Sequence, residues 1–332
     1  MKGDVNIHEQ FLRTLNERYP KKKELVNLIS GLLNVEKDVI YRRLAGRVCF
    51  SAQEIGVIAK NLNISLDALM HNAKKMLWLP FIMESPLKVR SMEELYRIVE
   101  KSDFNVGNEE VPAQMGNIYH TLPLEFFAFF PILTKYMFFR WGYYFIGSEE
   151  FNDFSAWQPP EKLNNLCEKL VESYAYEKCF YIWDEALVWN LCREASTFHR
   201  MRIISDEEKI EIADALKKLL SQIEKTLNGT YAPRLMAKVK EVAFYVSSMH
   251  LGFNAVYMLS EINSYAVFHT NFSFSIIQNE PTLFVPLQQW IDSFKSTSTQ
   301  LSGSGRTERR IFFDTQYRII EHVLGGSDVP IY

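Results

Sequence analysis

The sequence predicts a mainly α-helical protein, α+β overall, and three observations support this fold class. Apolar residues recur at helical spacing through residues 6–71 and through much of the chain beyond residue 90. Capping boxes at 51–54 (SAQE) and 205–208 (SDEE) mark two helix starts. Only residues 242–277 are dominated by β-branched and aromatic side chains with turn-like breaks, which predicts a small antiparallel β-meander.

Charge and proline positions divide the chain into two predicted domains. Residues 1–75 carry 13 lysines and arginines against 8 aspartates and glutamates, a net charge of +5, and the rest of the chain carries 24 against 32, a net charge of −8. Pro80 and Pro86 interrupt an apolar stretch, so we expect a linker at 76–90 and a second domain at 91–332. A basic domain attached to an acidic one is typical of a nucleic-acid-binding module beside a non-binding domain.

The first domain is predicted to contain five short helices. Tyr19-Pro20 ends the first, Gly46 ends the third, and the capping box starts the fourth. The five predicted ranges are 7–19, 22–33, 36–45, 51–62 and 64–69.

The second domain is predicted to be mostly helical around the small meander. Its start signals are the capping box before residue 206 and prolines at other helix starts. The predicted helices cover 91–101, 123–145, 160–175, 184–200, 206–227, 283–294 and 308–323.

Residues 24–69, ELVNLISGLLNVEKDVIYRRLAGRVCFSAQEIGVIAKNLNISLDAL, resemble the helix-turn-helix domain of lambda-repressor/Cro-like transcription regulators. Ser30 is the small residue at the helix crossing, and Asn34 stands in the turn, where that family usually has glycine. Val35 and Ile40 fall where the motif buries apolar side chains. The closing AKNLNISLDAL matches the family's pattern, and the resemblance as a whole extends over roughly 65 residues, one fifth of the chain.

The resemblance implies a recognition helix at 36–47 that lies in the major groove of DNA. Lys37, Asp38, Tyr41 and Arg42 would face the bases, and Arg42 would hold a guanine through two hydrogen bonds. Arg43 and Arg47 would contact phosphates.

In one position the chain departs from the family, which usually has an apolar residue three positions after Ile40. This chain has Arg43 there and Leu44 next. Either the helix is slightly rotated or Leu44 does the packing.

The sequence carries no motif typical of an enzyme, a metal site or a cofactor site. HExxH, Walker and GxSxG patterns are absent, and the seven histidines are dispersed. Four cysteines without a CxxC pair and an N-terminus without an apolar stretch favour a cytoplasmic protein. The apolar segment 122–146 contains Glu125, Lys135 and Arg140, which predicts a buried helix and no membrane span.

Two features of the second domain are candidates for ligand sites. The aromatic helix 123–145 is expected to be core, but part of it could line a pocket for an apolar or planar effector or a dimer interface. The loop and helix start SGSGRTERRIFF (302–313) could bind an anionic effector. The residues of this site would be Ser304, Arg306, Thr307, Arg309 and Arg310; the alternative is a linker whose arginines pair with Glu308 and Asp314.

These observations together predict a homodimeric, sequence-specific DNA-binding transcription regulator. Its second domain would sense a small-molecule or anionic effector, dimerise, or both. The first alternative is a protein-interaction module whose helical head docks a protein partner. The second is an enzyme with an unfamiliar site in the second domain.

Overall fold

The computed structural model describes residues 7–62, 64, 66, 69, 79, 82–83, 91–94, 114–127, 129–165, 169, 175–229, 238–261, 263–270 and 273–326. The chain divides into two compact units, Met1–Leu79 and Pro80–Tyr332, which we call the first and the second unit. This division falls inside the predicted 76–90 linker, and part of that segment, Ile82–Met83, forms a strand of the second unit.

Four helices of the first unit agree with the predicted ones. They are α1 (Ile7–Arg18), α2 (Lys22–Leu33), α3 (Lys37–Leu44) and α4 (Ala52–Asn61). The predicted capping box is present, because the Ser51 hydroxyl accepts a hydrogen bond from the Glu54 amide and the Glu54 carboxylate accepts one from the Ser51 amide. Most of the predicted fifth helix, 64–69, lies outside the described residues.

The four helices of the first unit enclose one apolar core. Their inward side chains recur at helical spacing, as the amphipathic pattern requires. The buried members are Phe11, Leu15, Leu25, Val26, Ile29, Ile40, Leu44, Phe50, Ile58, Ala59 and Ile64.

The second unit is built on an eight-stranded mixed sheet. Its strands are β1 (Ile82–Met83), β2 (Gln114–Tyr119), β3 (Ala175–Asp184), β4 (Lys238–Ser247), β5 (Asn254–Leu259), β6 (Ser264–Thr270), β7 (Ser273–Gln278) and β8 (Ser298–Gln300). The spatial order is β1-β7-β6-β5-β2-β3-β4-β8. The adjacent strands β2, β3 and β4 are parallel, and every other pairing is antiparallel.

Helices cover both faces of this sheet. They are α5 (Leu124–Phe127), α6 (Pro131–Trp141, continued by a π-helical turn at Gly142–Ile146), α7 (Trp189–Arg200), α8 (Asp206–Leu227), α9 (Pro281–Ser293) and α10 (Arg306–Val323). Alternate residues of a strand point to opposite faces. Met115, Tyr181 and Phe244 pack with α5–α8 and α10, whereas Tyr257 on the opposite face meets Phe284 of α9.

The predicted fold class, mainly α with a small meander, is wrong for the second unit. The meander exists as β5–β7, but β4 pairs with β3 and β8 instead of β5, and no local pattern in the sequence indicates β2. Because β2 and β3 are buried on both faces, their sequences lack the apolar–polar alternation that signals a half-exposed strand. A strand of this kind cannot be told from a buried helix by periodicity alone.

Three predicted helices of the second unit also need correction. The helix at 123–145 is two helices, because Pro131 starts a new one at its first position. The helix predicted to start at Asp184 starts at Trp189, since Asp184 is the last residue of β3. Residues 161–165 are helical as predicted, but the predicted end of that helix at residue 175 is the first residue of β3.

The remaining helices of the second unit follow their sequence signals. The capping box at Ser205 starts α8, and α9 and α10 lie within two residues of their predicted starts. Of the helix predicted at 91–101, only residues 92–94 are described as helical, and the rest lies outside the described residues. Within the described part of the chain, no helix has both the length and the apolar character needed to cross a membrane.

Candidate nucleic-acid interface

A tight left-handed turn joins α2 to α3 in the first unit. Asn34 has φ 54° and ψ 45°, a conformation that asparagine tolerates better than most residues. The Val35 amide donates to the Ser30 carbonyl at 3.3 Å, and the Ser30 hydroxyl donates to the Val35 carbonyl at 2.7 Å. Asn34 and Ser30 therefore hold the end of α2 and the start of α3 in one geometry, as their sequence positions predict.

The inner side of α3 is anchored by two apolar residues. Ile40 is fully buried and Leu44 nearly so. Leu44 therefore packs in the core, whereas in the family pattern the residue at the preceding position does so. Of the two alternatives that Arg43 raises, packing by Leu44 is the one observed.

The outer side of α3 carries the four predicted base-facing residues. Lys37, Asp38, Tyr41 and Arg42 are all exposed, and their spacing of one and four residues places them on one side of the helix. The Arg42 Nε lies 3.4 Å from the Asp38 carbonyl oxygen, so its guanidinium lies along the helix. Arg47 is exposed just beyond Gly46, which ends the helix with φ 70°.

Arg43 has a different environment from the other predicted contact residues. Its guanidinium forms an ion pair with Glu54 of α4 and lies 5.5 Å from the centroid of the Phe50 ring. Its side chain is only 17% exposed. The hydrogen bond from Arg43 is the main reason why the pKa of Glu54 is lowered below its usual value of 4.5. Arg43 therefore ties α3 to α4 and does not join the exposed set.

Sequence reasoning missed a second basic feature of the first unit. Lys21, Lys22 and Lys23 are exposed at the start of α2, and the Lys21 side chain makes no capping hydrogen bond. Cations at this end of a helix oppose its dipole. Lys21 is already paired with Glu24 at 3.1 Å, and an anion beside the helix start would stabilise Lys22 and Lys23 as well. The run of three lysines is the signal in the sequence that could have identified this feature.

In the second unit, the structure does not assemble the predicted anion site. Ser304, Arg306, Thr307 and Arg310 lie at the surface, but Arg309 is buried and turned inward. Its Nη1 donates to the Leu301 carbonyl at 2.6 Å and to the Gly303 carbonyl at 3.4 Å. The prediction of Arg309 as an anion ligand is therefore corrected: it fastens the loop before α10 to the start of that helix.

The aromatic segment 123–145 is core, as its composition predicts. Leu133, Tyr136, Met137, Phe138 and Phe139 of α6 are all buried in the main cluster of the second unit. The ring centroid of Phe139 lies 5.1–6.0 Å from those of four other aromatic residues, Phe151, Phe154, Trp157 and Phe198. Core packing therefore covers most of the circumference of this helix.

At the carboxyl end of β3, Asp184 holds the segment that leads from β4 to β5. Its Oδ2 accepts a hydrogen bond from the Leu251 amide at 2.6 Å and lies 3.0 Å from His250 Nδ1, and its Oδ1 accepts one from the Ala186 amide at 2.8 Å. The buried carboxylate of Asp184 is therefore explained by the hydrogen bonds that it accepts from these backbone amides. Among the described residues, no group of three or more histidine, cysteine, aspartate or glutamate side chains could hold a metal ion.

Comparison with other proteins adds no relative. The chain matches no known family model, no curated protein and no solved structure.

Proposed function

We propose that the protein is a sequence-specific DNA-binding transcription regulator whose first unit reads the major groove through α3. The observation that carries the proposal is the outer side of α3, where Lys37, Tyr41 and Arg42 are exposed together on a helix whose other side is fixed in the core. The resemblance to lambda-repressor/Cro-like regulators over residues 24–69 supports it, as does the net charge of +5 on residues 1–75.

Within this proposal, the exposed residues divide into two roles. Arg42 reads a guanine, and Asp38, Lys37 and Tyr41 contact the neighbouring base edges. Arg47 and the three lysines at the start of α2 contact phosphates, which fixes the register of the protein on the duplex without reading sequence.

Arg43 has a positioning role, because it joins α3 to α4 through Glu54. It presents little of its side chain to a ligand, so its loss would act through the orientation of α3. Arg43 is therefore excluded from the proposed phosphate contacts, although its place in the sequence suggested that role.

We propose a homodimer in the cytoplasm, with the second unit responsible for dimerisation, effector sensing or both. One recognition helix reads few base pairs, whereas two related by a twofold axis read half-sites about 34–36 Å apart. The natural site would therefore be roughly palindromic.

The test is selection of bound duplexes from a random pool by the full-length protein and by Arg42→Ala. Arg310→Ala is the matched control, because Arg310 is equally cationic and exposed but belongs to the second unit. We expect the wild type and the control to select the same palindromic site. Arg42→Ala should lose specificity at one position of each half-site, which corresponds to about 1–3 kcal/mol.

Two outcomes would contradict the proposal. If no sequence is enriched and binding disappears at moderate salt, the basic helix is only a general charged surface. If the protein does not bind DNA at all, the alternative of a protein-docking head takes its place.

A further inference from the structure

Among the described residues of the second unit, six buried side-chain nitrogen or oxygen atoms have no hydrogen-bond partner, and three of these atoms lie on or beside β2 and β3. These three are Oδ1 of Asn117 in β2, Nε1 of Trp183 in β3 and Oε1 of Glu125 in α5. Asn117 and Trp183 are completely buried as residues. Unpaired buried polar atoms are rare in native proteins, because each one costs the hydrogen bonds that it would make in water.

The three residues all neighbour Tyr181, on the face of the sheet that α5–α8 and α10 cover. Asn117 is the register partner of Tyr181, and Trp183 follows Tyr181 on the same face of β3. The Tyr181 hydroxyl hydrogen-bonds the Glu125 carboxyl group. The Asn117 amide nitrogen is used by the Phe180 carbonyl at 2.9 Å, which leaves its oxygen as the free acceptor.

Aromatic rings frame this region. The ring centroid of Phe126 lies 5.4 Å from that of Tyr181 and 5.9 Å from that of Trp183. Tyr119 stacks on Tyr181 at 6.3 Å. The faces of such rings carry partial negative charge and attract cations within about 6 Å.

The charge of Glu125 is not balanced by a neighbouring cation. In the described part of the chain, no lysine, arginine or histidine forms an ion pair with this residue. Burial raises its pKa from 4.5 to about 7, because the carboxylate has lost most of its hydration. A buried acid inside an aromatic frame, next to a second free acceptor on Asn117, has the composition of a site for a cationic hydrogen-bond donor.

The region is not sealed from solvent at this end. Glu125 and Tyr119 are both partly exposed as residues, although the Glu125 Oε1 itself is buried. A ligand that pairs with Glu125 would therefore enter at this partly exposed end, beside α5.

We propose that the second unit binds a small organic cation, a protonated amine, whose ammonium group pairs with Glu125 between the rings of Tyr119, Tyr181 and Phe126. The Asn117 oxygen accepts a second N–H from the ligand. The Trp183 indole N–H donates to an acceptor group of the ligand. The proposal concerns the second unit alone and does not depend on DNA binding by the first.

The test measures binding of two matched probes to the full-length protein by isothermal titration calorimetry. Benzylammonium is the cation, and benzyl alcohol is its uncharged equivalent of similar size. At a pH of about 8 most of Glu125 is ionised. Glu125→Gln removes the charge while keeping the shape, and Glu161→Gln, an exposed acid elsewhere in the same unit, is the control.

The expected result is saturable binding of one benzylammonium per chain. Benzyl alcohol on the wild type and benzylammonium on Glu125→Gln should each bind at least about tenfold more weakly, and Glu161→Gln should bind like the wild type. Circular dichroism of each variant verifies that it is folded, and the comparison of the two probes on the wild type stands even if Glu125→Gln does not fold.

Three results would overturn the proposal. Absence of binding at millimolar benzylammonium would leave ordered water as the partner of the three atoms. Equal affinity for benzyl alcohol would mean that the site is merely apolar. Equal affinity of Glu125→Gln for the cation would place the binding elsewhere.

Discussion

At the scale of single residues, Glu54 links the start of α4 to α3 and should make the first unit sensitive to acid. Arg43 lowers its pKa below 4.5, so its carboxylate contributes stability that is complete above pH 4.5. This stability is lost as the pH falls through the lowered pKa of the folded state. We expect the free energy of unfolding of the first unit to drop as the pH falls below about 4.5 and through the lowered pKa of Glu54.

The measurement is thermal unfolding followed by circular dichroism across that pH range. Glu54→Gln should be less stable at neutral pH and should lose less stability on acidification. Glu24→Gln is the matched control, because Glu24 also pairs with a basic residue but its side chain is 67% exposed. Equal acid sensitivity of the wild type and Glu54→Gln would disprove the role given to this pair.

Glu125 should have the opposite effect on the second unit. Its pKa is raised on folding from 4.5 to about 7, so the folded protein binds a proton more tightly than the unfolded chain. Stability should therefore fall as the pH rises from 4.5 to about 7, by about 3 kcal/mol in total, and remain constant above that range. Glu125→Gln carries no titrating group and should lack this slope.

Chemical denaturation at a series of pH values measures this contribution. As the pH rises, the free energy of unfolding of the wild type should decrease relative to that of Glu125→Gln. A difference independent of pH would show that Glu125 is well hydrated in the folded protein.

At the scale of elements, β2 depends on a glycine at its centre. A Cβ added to Gly116 would lie 2.5 Å from Cζ of Phe180 and would also clash with the Tyr257 ring. The two rings contact each other, and Tyr257 also contacts Phe284 of α9, so they have little room to move. Gly116→Ala should therefore destabilise the second unit by about 1–3 kcal/mol.

Gly252→Ala is the control for this substitution. A Cβ at Gly252 has no atom within 4 Å, so only the general effect of replacing glycine remains. The two variants are compared by their denaturation midpoints. If Gly116→Ala is as stable as Gly252→Ala, the packing between β2 and α9 is looser than the structure indicates.

The start of α10 depends on the hydrogen bonds of the buried Arg309 side chain. Arg309→Met keeps the aliphatic stem but leaves the Leu301 and Gly303 carbonyls without their donor, so it should cost about 2 kcal/mol. Arg310→Met should cost almost nothing, since that side chain is 83% exposed. The measurement is chemical denaturation of both variants and the wild type, with and without sulfate. If sulfate stabilises the wild type but not Arg309→Met, Arg309 binds an anion and does not only fasten the loop.

At the scale of the whole molecule, the proposed dimer predicts how DNA affinity depends on salt. Removing one phosphate contact reduces the slope of log K against log salt by about 0.9, so Arg47→Ala should reduce it by about two in a dimer. The selected sequence should stay the same, in contrast to Arg42→Ala. Fluorescence anisotropy over a range of salt measures the slope, and sedimentation measures the mass of the complex.

A reduction of about one would indicate a single recognition helix on each DNA molecule. A change of the selected sequence by Arg47→Ala would place that side chain in the groove, against the division of roles proposed above.

The sequence by itself determined the features of this protein whose causes lie within a few neighbouring residues. Capping boxes located the starts of α4 and α8, and Asn34 and Gly46 located the turns on either side of α3. Such signals are local, because a cap or a left-handed residue acts on the backbone beside it. The exposed side of α3 followed from the same local spacing.

Only the tertiary structure decided which distant residues meet. The parallel strands β2 and β3 need partners far along the chain, and burial on both faces removes the alternation that would reveal them. Arg43 pairs with Glu54, Arg309 turns into its own loop, and Glu125 lies among aromatic rings with one buried oxygen unpaired. In each case the direction of a charged side chain was fixed by packing across elements, which spacing along one element does not encode.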